Sequence, residues 1–106
     1  MYKLCVYIPQ DHVEQVKRAI FEAGAGRLGN YDRVAWQTRG EGQFRPLERS
    51  DPAFGRKGEL ETVPEYKVET YCQEELIEDV LQALREAHPY EEPGYDVFEL
   101  RRNLEL

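Results

Sequence analysis

Residues 88 to 96 concentrate four side chains that could bind a metal ion or exchange protons. His88, Glu91, Glu92 and Asp96 fall within this short segment, and two prolines stiffen it. Imidazole and carboxylate groups are common ligands of divalent cations, so His88 with Glu91 and Glu92 forms one candidate metal site. A single histidine beside carboxylates is nevertheless a weak signature for a transition metal.

The same residues also have a structural interpretation, as a corner between a helix and a strand. Pro89 cannot continue a helix. A protonated His88 would offset the partial negative charge at the carbonyl end of that helix, which would stabilise the fold by about 0.3 to 1 kcal/mol. Tyr90 would pack its ring, and Pro93 with Gly94 would set the entry to the strand. The sequence favours the corner, and the metal site remains the alternative.

A second concentration of chemistry lies between positions 39 and 57. The acidic chain places there five of its 14 positive charges, which are Arg39, Arg45, Arg49, Arg56 and Lys57. Phe44 and Pro46 flank Arg45 and could hold its guanidinium in one orientation for a phosphate or carboxylate. Glycines at 40 and 42 would leave space beside it. Arg39, Gly40, Gly42, Phe44 and Arg45 therefore form a candidate anion site, but the sequence favours a scaffolding role for this loop, because surface charges are usually structural.

The alternative to an anion site in this loop is scaffolding. Its arginines would then pair with acidic residues of a neighbouring subunit, and the loop would only extend a hairpin around that subunit. The two interpretations differ in whether open volume remains around Arg45.

Catalytic groups are sparse in the sequence. Ser50 is the only serine, and it lies in neither a nucleophile elbow nor a stretch with a nearby histidine. Cys5 and Cys72 fall inside predicted strands, far apart and without metal-ligand spacing, so we expect buried, reduced thiols. We predict no enzymatic activity, no certain cofactor and a cytoplasmic location.

Size and charge narrow the class of partner. A chain of 106 residues forms one domain, with little room for a deep enclosed pocket. Its net charge of -7 argues against nucleic acid, which clustered positive charge would hold. The first apolar stretch is too short for a signal peptide or a membrane span, so we expect no membrane partner.

Hydrophobic periodicity predicts six elements around these segments. Alternation indicates strands at 2–8, 31–38, 65–72 and 95–100, and apolar stripes indicate helices over 13–23 and 74–88. Asp11 and Glu14 would form a capping pair at the start of the first helix, and Gly24 would end it. The order βαββαβ, with a long excursion over 39–65 between strands 2 and 3, predicts an α+β ferredoxin-like fold over residues 1–106. A four-stranded antiparallel sheet would carry both helices on one face.

The second face of that sheet would carry Tyr7, Trp36 and Tyr71 without a covering layer. An aromatic face of this kind calls for a partner, and a second copy of the chain is the simplest one. These three residues are our predicted oligomer interface.

Two motifs carry a resemblance to known families. The stretch LREAHPYEEPGYDV resembles the C-terminal signature of the CutA family, through His88, Pro89, Tyr90, Glu91 and Pro93. Residues 40 to 55 resemble the domain inserted in bacterial Nif-three-like proteins (NGG-interacting factor three). The matching positions there are Gly40, Gly42, Phe44, Arg45, Pro46, Pro52 and Gly55.

The resemblance implies a homotrimer of the CutA and PII type, acting as a binding or regulatory module. In PII proteins the loop between strands 2 and 3 carries ligand and partner contacts, whereas CutA is associated by name with divalent-cation tolerance. Nif-three-like proteins hold two metals in the lobes that flank the insert. The resemblance implies that this chain is the inserted domain occurring as a stand-alone protein. Neither the two-metal site nor a hydrolase activity is then expected in it. Such a domain could still partner separate metal-binding lobes.

Overall fold

A computed structural model describes residues 1–101, and the segment 102–106 lies outside that range. The elements are β1 (Tyr2–Pro9), α1 (Val13–Glu22), β2 (Ala35–Phe44), β3 (Glu61–Cys72), α2 (Ile77–Ala87) and β4 (Tyr95–Glu99). Short 3-10 turns, Gln10–His12 and Glu74–Leu76, lead into the two helices.

The four strands form one antiparallel sheet in the order β2-β3-β1-β4. This confirms the predicted α+β, ferredoxin-like plan. Alternate side chains of β1 point to the same face of the sheet, so Leu4, Val6 and Ile8 are all fully buried against the helices. The helices complete this core with two apolar stripes, namely Val13, Val16 and Ile20 of α1 and Ile77, Val80 and Leu84 of α2.

The predicted bounds of strand 2 and of the excursion were wrong. Strand β2 begins at Ala35 and continues to Phe44, and β3 begins at Glu61, so the irregular segment is only 45–60. We call residues 45–60 the excursion loop. The reason for the error is exposure: β2 is exposed at most of its positions, so its sequence shows no apolar alternation beyond Thr38.

The start of α1 also differs from the prediction. Asp11 and Glu14 were expected to form an N-terminal capping pair, but no side chain caps the helix, and a 3-10 turn precedes it instead. At the other end Gly24 has a φ of 119°, as expected for a glycine that ends a helix. None of the helices within residues 1–101 is long and apolar enough to cross a membrane.

The sheet face opposite the helices, here the open face, carries the predicted aromatic residues. The β-register aligns Cys5, Glu69 and Trp36 across three strands, and places Lys3 beside Tyr71 and Phe98. The Trp36 side chain is 68% exposed and Phe98 is 51% exposed. The open face therefore exposes aromatic side chains at Trp36 and Phe98, whereas Cys5 on the same face is buried.

Candidate functional site

A cleft of about 1070 Å³ lies where the β2–β3 hairpin and the excursion loop approach the segment 88–94, which we call the corner. Both motifs noted in the sequence line it. Its walls include Tyr7 of β1, Arg39 to Phe44 of β2, Arg45 to Leu47 and Pro52 to Phe54 of the excursion loop, and Tyr90 to Glu92 of the corner. The two motifs thus meet in space and form one site.

Tyr90 is the central contact between the corner and the rest of the cleft. Its ring lies 5.8 Å from the Phe44 ring and 5.7 Å from the Phe54 ring, measured between centroids. Its hydroxyl donates a 2.7 Å hydrogen bond to Glu65 Oε2 in β3. Burial, together with the neighbouring Glu65 carboxylate, raises the pKa of Tyr90 above its ordinary value, so the hydroxyl keeps its proton.

Gly42 has a different role from the one we predicted. Glu65 is a buried residue whose carboxylate lies over the Gly42 backbone, so that a Cβ at position 42 would overlap it. Gly42 therefore makes room for Glu65, and the predicted free space beside Arg45 is not found there. At Gly40, by contrast, an added Cβ would have no other group within 4 Å, and this position does leave open space.

His88 is 5% exposed and uses both ring nitrogens within the protein. Nδ1 accepts the backbone N–H of Tyr90 at 3.1 Å, and Nε2 lies 2.7 Å from the Tyr7 carbonyl oxygen. Since a carbonyl can only accept, this geometry assigns the proton to Nε2 and makes the imidazole neutral. Burial lowers the pKa of His88. The expected role as a charge at the helix end is thus wrong, because the neutral ring bridges β1 and the corner.

The predicted metal ligands are not assembled around a common point. Both nitrogens of His88 are engaged, and Glu91 Oε1 accepts the backbone N–H of Asp51 at 3.0 Å. Glu92 is exposed on the cleft wall, and Asp96 lies in β4 opposite Cys5. In the span 1–101, no group of three or more His, Cys, Asp or Glu side chains could hold a metal ion. The corner interpretation fits this geometry, and the metal interpretation draws no support from it.

The charges of the cleft are not equivalent. Three of its five acidic residues have partners: Glu65 binds Tyr90, Glu69 binds Lys3 at 2.9 Å, and Glu91 binds the excursion loop. The carboxylates of Glu41 and Glu92 have none among residues 1–101. The guanidinium groups of Arg39, Arg45 and Arg49 also line the cleft, and within the same range none of them takes part in a salt bridge or hydrogen bond. Arg56 and Lys57, which the sequence grouped with them, lie outside its lining.

Several residues of the site were missed or underrated from the sequence. Phe54 and Glu65 carried no motif signal, although they supply a ring and a carboxylate to Tyr90. Phe98 joins the predicted open-face residues through its pairing with Lys3 in β1. For Phe98 the alternation of β4 gave a usable signal, whereas Glu65 looked like an ordinary exposed strand residue.

The fold is that of a CutA-like domain. A PII-like protein CutA from Nostoc sp. PCC 7120 superimposes with a TM-score of 0.69 at 21% identity, covering 100% of this chain and 86% of that one. Identity at that level shows the fold alone. The Bacillus cereus protein related to NIF3 is more similar, with a TM-score of 0.81 and 39% identity, over 95% of this chain and 26% of that one.

Sequence comparison leads to the same proteins, although no family model matches the chain. The chain is 43% identical over 100 residues to the GTP cyclohydrolase 1 type 2 homolog of Halalkalibacterium halodurans, which covers 94% of this chain and 27% of the relative. The homolog of Bacillus subtilis is 42% identical over 96 residues, or 91% and 26% of the two chains.

The chain thus spans about a quarter of the curated relatives it matches. It is similar to a quarter of these longer proteins, one of which is described as related to NIF3, and its fold is that of CutA. The predicted resemblance is confirmed at this level.

Proposed function

We propose that this chain is a homotrimeric binding or regulatory module without catalytic activity, which holds an anionic ligand in the cleft. The observation that carries the proposal is the difference between the acidic and basic residues of the cleft. The carboxylates of Glu65, Glu69 and Glu91 are engaged, whereas Arg39, Arg45 and Arg49 have no partner within residues 1–101. The three guanidinium groups outnumber the two cleft carboxylates that also lack a partner in that range, Glu41 and Glu92, so most of the charge left for a ligand is positive.

The composition of the cleft supports a small ligand with one apolar surface. Aromatic rings of Tyr7, Phe44 and Tyr90 line the cleft together with the arginines. Binding sites commonly combine such apolar walls with a few placed polar groups, and a volume of about 1070 Å³ is at the upper end for a small molecule. A carboxylate or phosphate attached to a flat apolar body fits this chemistry.

The trimeric part of the proposal rests on the open face. Trp36 and Phe98 are exposed there, and Tyr7 lies between this face and the cleft. A second copy that covers these residues would also close the side of the cleft. The cytoplasmic location belongs to the same proposal and is supported by Cys5 and Cys72, which are both unpaired and buried.

Sedimentation and ligand-dependent melting test the two parts separately. Sedimentation at micromolar concentration should give the mass of three subunits, and a stable monomer would refute the trimer. Succinate and inorganic phosphate serve as probe anions in a thermal-shift titration. Arg45→Ala should weaken the stabilisation by either anion and keep the trimer, whereas Arg56→Ala, outside the cleft, should behave as the unaltered chain. Equal responses of the two variants would refute the anion site.

One observation favours a second candidate function, a module that serves separate NIF3-like metal-binding lobes. The backbone N–H of Leu100 donates to the Met1 carbonyl oxygen at 3.0 Å, so the two ends of the described domain meet. A domain with adjacent ends can be joined to or docked on another at one point. Neither candidate function includes the cyclohydrolase activity that appears in the names of the relatives. Co-purification with a NIF3-related protein that lacks its homologous quarter tests this candidate.

A further inference from the structure

If the His88 ring takes up a second proton, its two present hydrogen bonds cannot both persist, and the cleft must change shape. Nδ1 is the acceptor for the Tyr90 N–H, at 3.1 Å, and Nε2 faces the Tyr7 carbonyl at 2.7 Å. A proton added to the ring must go to Nδ1, because Nε2 already carries one. Two donors would then face each other at Nδ1, so the bond from Tyr90 could not persist.

Tyr90 connects His88 to the wall of the cleft. The His88 and Tyr90 rings are 4.9 Å apart between centroids, and Tyr90 is the residue that contacts Phe44, Phe54 and Glu65. The corner also holds the excursion loop through the Glu91 carboxylate and the Asp51 N–H. Movement of the Tyr90 backbone therefore loosens contacts on β2, on β3 and on the excursion loop.

We propose that protonation of His88 is a pH switch that releases the corner and opens the excursion-loop side of the cleft. The switch regulates the cleft of the proposed function, but it acts in the free protein and needs no ligand. Acidification should therefore change the shape of the site whichever anion binds there.

The groups around His88 set the direction of its titration. Burial lowers the pKa of His88 below its ordinary value of 6.5, and the positive charge of a protonated His12, in the 3-10 turn before α1, acts in the same direction. The Tyr7 carbonyl of β1 and the Glu65 carboxylate of β3 oppose this shift. Tyr90 keeps its proton because its own pKa is raised. The switch should thus operate below the ordinary histidine range.

A nuclear magnetic resonance titration of the isotope-labelled full chain tests the switch, from about pH 8 to about pH 4, which extends below the ordinary histidine range. The His88 ring and the amides of Tyr90 and Asp51 should shift with one common midpoint below that range. His88→Gln, which keeps one donor and one acceptor, should abolish the Asp51 step. His12→Gln should retain it and serves as the control.

Three results would overturn the switch. The His88 ring could titrate without a change at Tyr90 and Asp51, the Asp51 step could survive in His88→Gln, or the chain could unfold before His88 takes up a proton. The titration of the unaltered chain decides the first and third even if His88→Gln fails to fold. Since no anion is added, failure of the switch is distinct from failure of the anion site.

Discussion

Replacing Gly42 with alanine probes how firmly the two motifs are joined. The new Cβ would overlap the carboxylate of Glu65, which accepts the Tyr90 hydroxyl at 2.7 Å. A free glutamate at the surface would rotate away at little cost. Glu65 is buried and its carboxylate is hydrogen-bonded, so its displacement requires that this bond be broken or distorted.

The magnitude follows from two opposing contributions. A hydrogen bond to a charged group contributes about 1.5 to 3 kcal/mol. Alanine in place of glycine inside a strand recovers about 0.5 to 1 kcal/mol, because the unfolded chain loses less entropy on folding. The free energy of unfolding of Gly42→Ala should thus fall by about 1 to 2 kcal/mol. Gly40→Ala, two residues earlier on the same strand and with open space around it, should be neutral or slightly stabilising.

Urea denaturation at one fixed protein concentration measures both variants, since the stability of an oligomer depends on concentration. A double-mutant cycle with Tyr90→Phe sharpens the test, because Glu65 is already released in that background. There, Gly42→Ala should cost much less than in the unaltered chain. Equal stabilities of Gly40→Ala and Gly42→Ala, or an unchanged cost in the Tyr90→Phe background, would refute the reasoning.

Three further predictions concern the open face and the corner. Trp36→Glu should reduce the sedimenting mass below that of the trimer, whereas Tyr31→Glu, at a site that is 75% exposed outside the sheet, should not. The free energy of unfolding should decline as the pH falls below 6.5, because His88 takes up a proton more readily in the unfolded chain than in the folded one. In His88→Gln the free energy of unfolding, measured by denaturation at a series of pH values, should depend less on pH. If the corner is structural, calorimetric titration with zinc should give the same result for His88→Gln as for the unaltered chain, and a stoichiometric site lost only in the variant would restore the metal interpretation.

The fold was predictable because its signals are local. Alternation in β1 and apolar stripes in two helices arise wherever one face of an element is buried, and both are visible in a single sequence. The outer part of the β2–β3 hairpin has no such asymmetry. From Trp36 to Glu41 every residue of β2 is exposed. Its residue types therefore show neither which side chains face the helices nor where the strand ends.

The candidate site was predictable in its residues but less so in their roles. Arg39, Arg45 and Arg49 do line the cleft, and His88 does lie at the end of α2. What could not be seen is which donor meets which acceptor, since Glu65 and Tyr90 are 25 positions apart and their contact depends on the tertiary fold. The neutral tautomer of His88 likewise depends on the Tyr7 carbonyl, 81 positions away.

One set of contacts joins several of the residues that carry the family resemblance. Gly42 admits Glu65, Glu65 accepts the hydroxyl of Tyr90, and the Tyr90 ring packs on Phe44. Pro46, just beyond them, is buried and its carbonyl accepts the backbone N–H of Gly58 at 2.7 Å, which closes the excursion loop.

Arg45 is the exception within the same motif. It lies between two residues that are fixed by packing, yet its guanidinium has no partner among residues 1–101. A side chain held at its base and unpaired at its tip contributes little to the stability of a lone subunit. Its guanidinium is therefore available to a ligand or to a neighbouring copy. The Arg45→Ala melting experiment separates these two partners, because loss of a contact with a neighbouring copy would also weaken the proposed trimer.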